Sequence, residues 1–155
     1  MTVVYLDTCA IQRPLDTRSH VRISIEAEAV IGIISACEAG SIRLVSSEAL
    51  EFEVSRTPVP ARREYAREVL RLASAHVKLD SSILAHARRL TNQGIKPLDA
   101  LHLACADASG ARSLCTCDDR FLRKAQAVRD LTVTVVNPVD LIGAVENGSD
   151  HQTTS

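Results

Sequence analysis

Aromatic rings are scarce in this sequence. They make up 3% of its 155 residues, tryptophan is absent, and Tyr5, Tyr65, Phe52 and Phe121 are the whole set. A protein that holds single-stranded nucleic acid by stacking bases on aromatic platforms needs more. An excess of charge is also missing: 18 basic residues stand against 19 acidic ones, a formal net charge of -1. Passive binding to a polyanion usually shows as a basic excess, so nucleic-acid binding cannot be read from charge here. A knot of acids at a metal site would, however, cancel basic residues elsewhere. No uninterrupted apolar run reaches the roughly 18 residues that cross a bilayer, and the opening MTVVYLDTCA has no basic region ahead of its short apolar run, so no signal peptide is read. The five cysteines are an odd number, which fits free thiols in a reducing compartment. The expectation is a cytoplasmic protein without a membrane partner.

What is present is an ordinary globular composition, 46% hydrophobic and 24% charged, long enough for one domain with a sizeable core. Residues 3–6 (VVYL) form a short apolar, β-branched run ending at Asp7 and read as a buried strand. Residues 12–20, polar with a proline, read as a loop. Residues 21–39 form a long apolar helix stopped by Gly40, and residues 42–45 a second strand. Ser46 and Ser47 can cap a helix over 48–55. After the Pro58 and Pro60 break comes an amphipathic stretch, 61–75, and a short extended piece, 77–79. Helices follow at 81–92 and at 98–109, the second with Pro97 at its first turn and Gly110 at its end. Residues 112–116 and 132–136 read as strands, 119–127 and 139–145 as short helices. Residues 1–145 are thus one domain and 146–155 a polar tail expected to be disordered. Strands alternating with helices imply a mainly parallel sheet covered on both faces, and such sheets bind ligands at the carboxyl ends of their strands.

The acids fall where that rule points. Asp7 directly follows the first strand and Asp118 the strand over 112–116; Glu48, Glu51 and Glu53 lie on the helix after the second strand, and Asp99 in the first turn after Pro97. Each has an ordinary explanation: Asp7 and Asp118 can cap helices, and Asp99 can answer a helix dipole. Together they form one acidic edge, and buried like charges raise one another's pKa unless a cation sits among them. Mg²⁺ takes oxygen ligands and keeps several waters, so a few carboxylates suffice, and a bound metal can activate water and offset charge on a phosphate.

Four segments carry a resemblance. They are Tyr5-Leu6-Asp7-Thr8-Cys9, the run Ser46 to Glu53 (SSEALEFE), the run Lys96 to Ala104 (KPLDALHLA), and the run Thr116 to Phe121 (TCDDRF). In this order and spacing the chain resembles the PIN-domain ribonucleases and, within them, the toxin of VapBC-type toxin–antitoxin pairs. The resemblance runs over about residues 3–145. It implies a three-layer PIN-like fold: a central, mostly parallel sheet of four to five short strands with helices on both faces. It also implies an endoribonuclease dependent on Mg²⁺ or Mn²⁺ that acts on RNA, with an antitoxin protein as partner and a homodimer as its assembly. Asp7, Asp99 and Asp118 match the family's acids and would hold metal. The second acid is open: family spacing favours Glu53, while Glu51 lies two residues away, about 200° round a helix. Thr116 matches the hydroxyl residue beside the site, Thr8 is open to a similar use, and Glu48 to a supporting one.

Other residues read more plainly. His102, three positions after Asp99, is open to a role as ligand or general acid, but a polar residue at the edge of the core is favoured. Cys115-x-Cys117 has neither the spacing nor the second pair of a zinc site, and Cys9 reads as buried. Arg62, Arg63, Arg67 and Arg71 make a solvated stripe partly paired with Glu64 and Glu68, whereas Arg13, Arg120 and Lys124 are better placed to meet a substrate's phosphates. The competing reading is a catalytically silent PIN-like module that binds RNA or protein. A response-regulator-like domain would need an acid pair after the first strand, which is not seen.

Overall fold

The computed structural model describes the backbone of residues 2–153 and the side chains of residues 2–147. Among these, the elements run β1 (Thr2–Leu6), α1 (Thr8–Gln12), a 3-10 turn (Arg13–Leu15), α2 (Val21–Glu38), β2 (Ile42–Ser47), α3 (Glu48–Ser55), α4 (Pro60–Leu70), β3 (Ala75–Val77), α5 (Ser81–Asn92), α6 (Pro97–Ser109), β4 (Ser113–Cys115), α7 (Asp119–Gln126), β5 (Thr134–Val136) and α8 (Pro138–Thr153).

The five strands form one sheet in the order β3-β2-β1-β4-β5, and every pairing is parallel. In β1, Val4 pairs with Leu44 and Ser113, and Tyr5 with Val45 and Leu114. A parallel strand with neighbours on both sides and helices on both faces has no wet side. This is why β1 is a continuous apolar run, and Val4, Tyr5 and Leu6 are all fully buried. The chain moves one way from β1 to β2 and β3, then returns to lay down β4 on the other side of β1. Right-handed crossovers in opposite directions put their helices on opposite faces. α2, with α8 against it, therefore covers one face, and α6, backed by α5, covers the other.

Several sequence expectations change in detail. The stretch 12–20 is not simply a loop: α1 and the 3-10 turn occupy its first part, with Pro14 at the start of the turn, where its missing N–H costs nothing. The stretch 61–75 is helical only to Leu70, and the extended piece sits two residues earlier than 77–79. The last helix begins at Pro138 and continues past Val145 to Thr153. Side chains from 148 onward, and with them most of the polar tail, lie outside the described residues. No helix among the described residues is long and apolar enough to cross a membrane.

Gly110 ends α6 with a φ of 76°, in the left-handed region where a side chain is strained, and an added Cβ there would meet nothing within 4 Å. Gly143 sits inside α8, and an added Cβ there is likewise unobstructed. Gly110→Ala is therefore expected to cost roughly 1 kcal/mol through the backbone alone. Gly143→Ala should instead stabilise, by roughly 0.5–1 kcal/mol. Thermal unfolding of the two variants should give Tm shifts of opposite sign.

Candidate active site

The reversal of direction beside β1 opens a crevice above the carboxyl ends of β1 and β4, the place where open α/β sheets bind ligands. Asp7 leaves the end of β1 and caps α1: its Oδ1 accepts from the Ala10 amide at 3.0 Å and from the Cys9 thiol at 3.0 Å. Asp118 follows β4 and caps α7, its Oδ1 accepting from the amides of Arg120 (2.9 Å) and Phe121 (3.2 Å). The capping explanation thus holds for both, yet each cap uses only Oδ1. Asp99 stands in the first turn of α6, and Glu53 comes from α3.

Asp7, Glu53, Asp99 and Asp118 line one open cleft of about 580 Å³, together with Thr8, Cys9, Gln12, Arg56, Arg62 and His102. Glu51 is not among them. It lies on a separate groove with Arg67, Arg71 and His76, its Oε1 3.7 Å from His76 Nδ1. Of the two glutamates left open in the sequence, Glu53 shares the cleft with Asp7, Asp99 and Asp118, and Glu51 does not. Glu48 serves structure, accepting from the Leu79 amide at 2.9 Å. Asp119 turns away from the cleft and forms a two-pronged pair with Arg22 at 2.5 and 2.6 Å.

The electrostatics of the cleft are unbalanced. Asp7 is 5% exposed, and burial, with Cys9 beside it, pushes its carboxyl well above the usual carboxylate range against the pull of Thr116 and the Ala10 amide. Asp99 is raised too, by burial first and then by the charge of Asp118. For Glu53, burial also opposes ionisation, but His102 and Thr8 together outweigh it and hold the carboxyl below its ordinary value. No Lys or Arg lies within ion-pair distance of these four acids among the described residues.

The supporting residues are mixed. Thr116 is buried, and its hydroxyl accepts from the Asp118 amide at 3.1 Å and lies 3.4 Å from Cys9 Sγ. Thr8 Oγ1 is buried without a hydrogen-bond partner among the described residues. Cys9 is exposed as a residue rather than buried, although its thiol turns inward, and its hydrogen bond with Cys117 and burial raise its pKa. Arg13 does not reach the cleft: Asp16 (2.9 Å) and Glu26 (3.2 Å) hold it in a recess with Cys117 and Asp119. Arg62 is not a freely solvated residue but is held by Asp16 at 2.6 Å. Arg120 stands beside the acids, in a small recess with Lys96, Asp99, Asp118 and Lys124. Two residues underrated by sequence are Arg56, on the cleft wall, and His102, which is 1% exposed and not at the core's edge. Local pattern carries no signal for His102, because its partner Tyr5 is 97 positions away.

Can this set hold a divalent cation? Among the described residues, no three His, Cys, Asp or Glu side chains converge tightly enough to ligate one ion directly. Mg²⁺ reaches its ligands partly through its own waters. Carboxylates facing one cleft, none paired with a Lys or Arg among the described residues and two with raised pKa, fit an ion held in that hydrated manner.

The family model that matches is that of the PIN domain, over residues 4–127. The chain belongs to the PIN-domain family. Its fold is shared with a chain of VapBC2 from Rickettsia felis, solved bound to a DNA fragment from their promoter, at a TM-score of 0.55 and 12% identity, covering 88% of this chain and 98% of that one. It is shared also with PAE2754 from Pyrobaculum aerophilum, at a TM-score of 0.57 and 16% identity, covering 94% of this chain and 96% of the other. No curated protein matches the sequence. The expected PIN-like fold is therefore found, with all five strands parallel.

Without metal, an ionised Asp7 is a cost to the folded state. Asn caps a helix as well as Asp does, so Asp7→Asn should keep the cap and remove the buried charge. The metal-free variant is expected to melt higher than the parent at neutral pH, by about 2–4 °C for each kcal/mol relieved. The sign follows from linkage: a carboxyl whose pKa is raised by folding loses stability as pH rises from its unfolded value through its folded one. The gain should therefore vanish below the usual carboxylate range, where the parent is protonated in both states. Tm measured against pH in chelator checks this.

Proposed function

We propose that this chain is an endoribonuclease dependent on Mg²⁺ or Mn²⁺ and the toxin of a toxin–antitoxin pair. The observation that carries the reading is the gathering of Asp7, Glu53, Asp99 and Asp118, from four separate elements, on one cleft, with no Lys or Arg in ion-pair distance of them among the described residues. Asp7, Asp99 and Asp118 would hold the metal. A divalent cation there supplies an activated water and offsets charge on the phosphate.

The chain's own residues account for the rest. Glu53, kept ionised by His102, is suited to orient the attacking water and accept its proton. Thr116 fixes the backbone at Asp118, and Thr8 stands on the cleft wall, where it helps to keep Glu53 ionised. Cations flank the acids on both sides, Arg56 and Arg62 on one and Lys96, Arg120 and Lys124 on the other. A polyanionic strand laid across the acids meets positive charge before and after the bond to be cut. Arg120 keeps the substrate-binding role expected for it, and Arg56 takes the one expected for Arg13. The PIN family and the VapBC2 fold support an antitoxin partner. A homodimer and a reducing, cytoplasmic setting complete the proposal, the latter in keeping with five free cysteines.

Cleavage of a mixed RNA pool, followed on denaturing gels with Mg²⁺, with Mn²⁺ and with chelator, tests it. Activity is expected only with metal. Asp7→Asn and Glu53→Gln should lower the rate by at least about 100-fold, in line with the loss of a catalytic acid–base group, while Glu51→Gln stays near the parent. Arg56→Ala should mainly raise KM and flatten the salt dependence. Cutting that survives chelation sinks the metal mechanism, and RNA binding without cutting favours the silent module.

A further inference from the structure

A line of hydrogen bonds crosses the core and ends on Glu53. The Leu50 amide donates to Ser47 Oγ at 3.0 Å. Ser47 Oγ lies 2.7 Å from the Tyr5 hydroxyl, which lies 2.7 Å from His102 Nδ1. His102 Nε2 lies 3.2 Å from Glu53 Oε1. Ser47, Tyr5 and His102 are each at most 1% exposed, so none can turn to water for a missing partner.

The proton positions follow from what each group can do. An ionised carboxylate only accepts, so His102 must donate from Nε2. In a neutral imidazole Nδ1 is then an acceptor, and the Tyr5 hydroxyl donates to it. The Tyr5 oxygen accepts from the Ser47 hydroxyl, whose own oxygen takes the Leu50 amide. All four bonds run in one direction. Reversed, the line would set the Nε2 lone pair against a carboxylate oxygen.

We infer that Tyr5 and His102 are positioning residues: Tyr5 imposes the Nε2–H tautomer on His102, and His102 fixes one oxygen of Glu53 so that the carboxylate stays in the acid cleft. The use Glu53 is put to rests on the nuclease reading; the direction of the hydrogen bonds does not. Tyr5 is two residues before Asp7, and His102 is three after Asp99. The line therefore ties together β1, α3 and α6, three of the segments that carry the acids. An imidazole held by a second partner orients a carboxylate as outer partners orient metal ligands generally, where their loss typically costs about 10–100-fold in metal affinity.

The test uses the full chain with ¹⁵N-labelled histidine and the variants Tyr5→Phe, His102→Gln and His102→Leu. Long-range ¹H–¹⁵N spectra should show His102 of the parent protonated on Nε2 and bare on Nδ1. In Tyr5→Phe, which keeps the ring and deletes only the O–H, the Nδ1 resonance should move. Mn²⁺ binding measured by calorimetry should weaken about 10-fold in Tyr5→Phe and at least as much in His102→Leu. His102→Gln, which keeps an N–H donor, should recover part of the loss. RNA cleavage should lose kcat with little change in KM. An Nδ1–H tautomer in the parent overturns the inference whether or not the protein cuts RNA. So does parental Mn²⁺ affinity in folded Tyr5→Phe and His102→Leu. A parent that neither binds Mn²⁺ nor cuts RNA ends the nuclease reading instead, and the tautomer spectra then decide the direction of the line alone.

Discussion

The parallel sheet is the constraint from which the site descends. Because all strands point one way, every strand's carboxyl end lies on the same edge. Because β1 sits between β2 and β4 and the chain departs from it in both directions, that edge has a crevice where connecting helices diverge. Asp7 directly follows β1 and Asp118 comes three residues after the end of β4, the two strands that frame the crevice. Each also starts a helix, so the backbone N–H groups of α1 and α7 meet the carboxylates that nature or chance would place there. The cap and the site are therefore one arrangement: the cap uses one oxygen of each carboxylate, aims the side chain and leaves the other oxygen out of the cap.

The contrast with the rest of the molecule sharpens the reading. Buried Glu26 is met by Arg13 and Arg22. Asp107 answers two amides and a hydroxyl at Thr132 and Val133. Arg67 and Arg71 take Glu64 and Glu68. Among the described residues, the acids of the cleft have no Lys or Arg in ion-pair distance, and His102 meets Glu53. Chains tend to be locally consistent except where function demands otherwise. A fold that pairs its charges elsewhere and leaves Asp7 and Asp99 with raised pKa is holding back stability that a bound cation would restore.

How far this was legible in the sequence depends on the range of each signal. Asp7, Asp99 and Asp118 could be found because strand ends and helix starts are local patterns. Glu53 could not be separated from Glu51, since α3 is short and its apolar residues mislead. Ala49, Leu50 and Val54 are buried, but Phe52 between them is 52% exposed, so the run fits more than one helix phase. Residues 12–20 read as a loop because Pro14 and polar side chains mask the 3-10 turn over Arg13–Leu15. β3 is a three-residue, partly exposed edge strand, too short for alternation to mark its bounds. Arg13 looked well placed in sequence, but its acidic partners Asp16 and Glu26 come from the following turns and fold back on it. His102 shows the limit most clearly. A histidine in an apolar helix reads as an edge residue, and its burial is permitted only by a tyrosine on a distant strand and a carboxylate on another helix.

Charge balance, from which nucleic-acid binding could not be read, fits a nucleic-acid enzyme once its distribution is known. A net charge of -1 is a sum over a cluster of unpaired acids and two separate groups of cations beside it. Attraction for a phosphate chain is set by the potential within a Debye length, about 8–10 Å in ordinary salt, and not by the total. Under the nuclease reading the acids are also the only part of this surface whose charge changes in use. A divalent ion held by Asp7, Asp99 and Asp118 would lessen their repulsion of the strand and leave Arg56 and Arg120, which line the neighbouring recesses, to attract it. The metal would serve twice, once at the bond that breaks and once by switching the sign of the surface that the substrate must approach. A cluster that repels RNA when empty and admits it when filled needs neither a basic overall charge nor aromatic platforms. The two shortages most visible in the sequence thus accord with the way this site would bind.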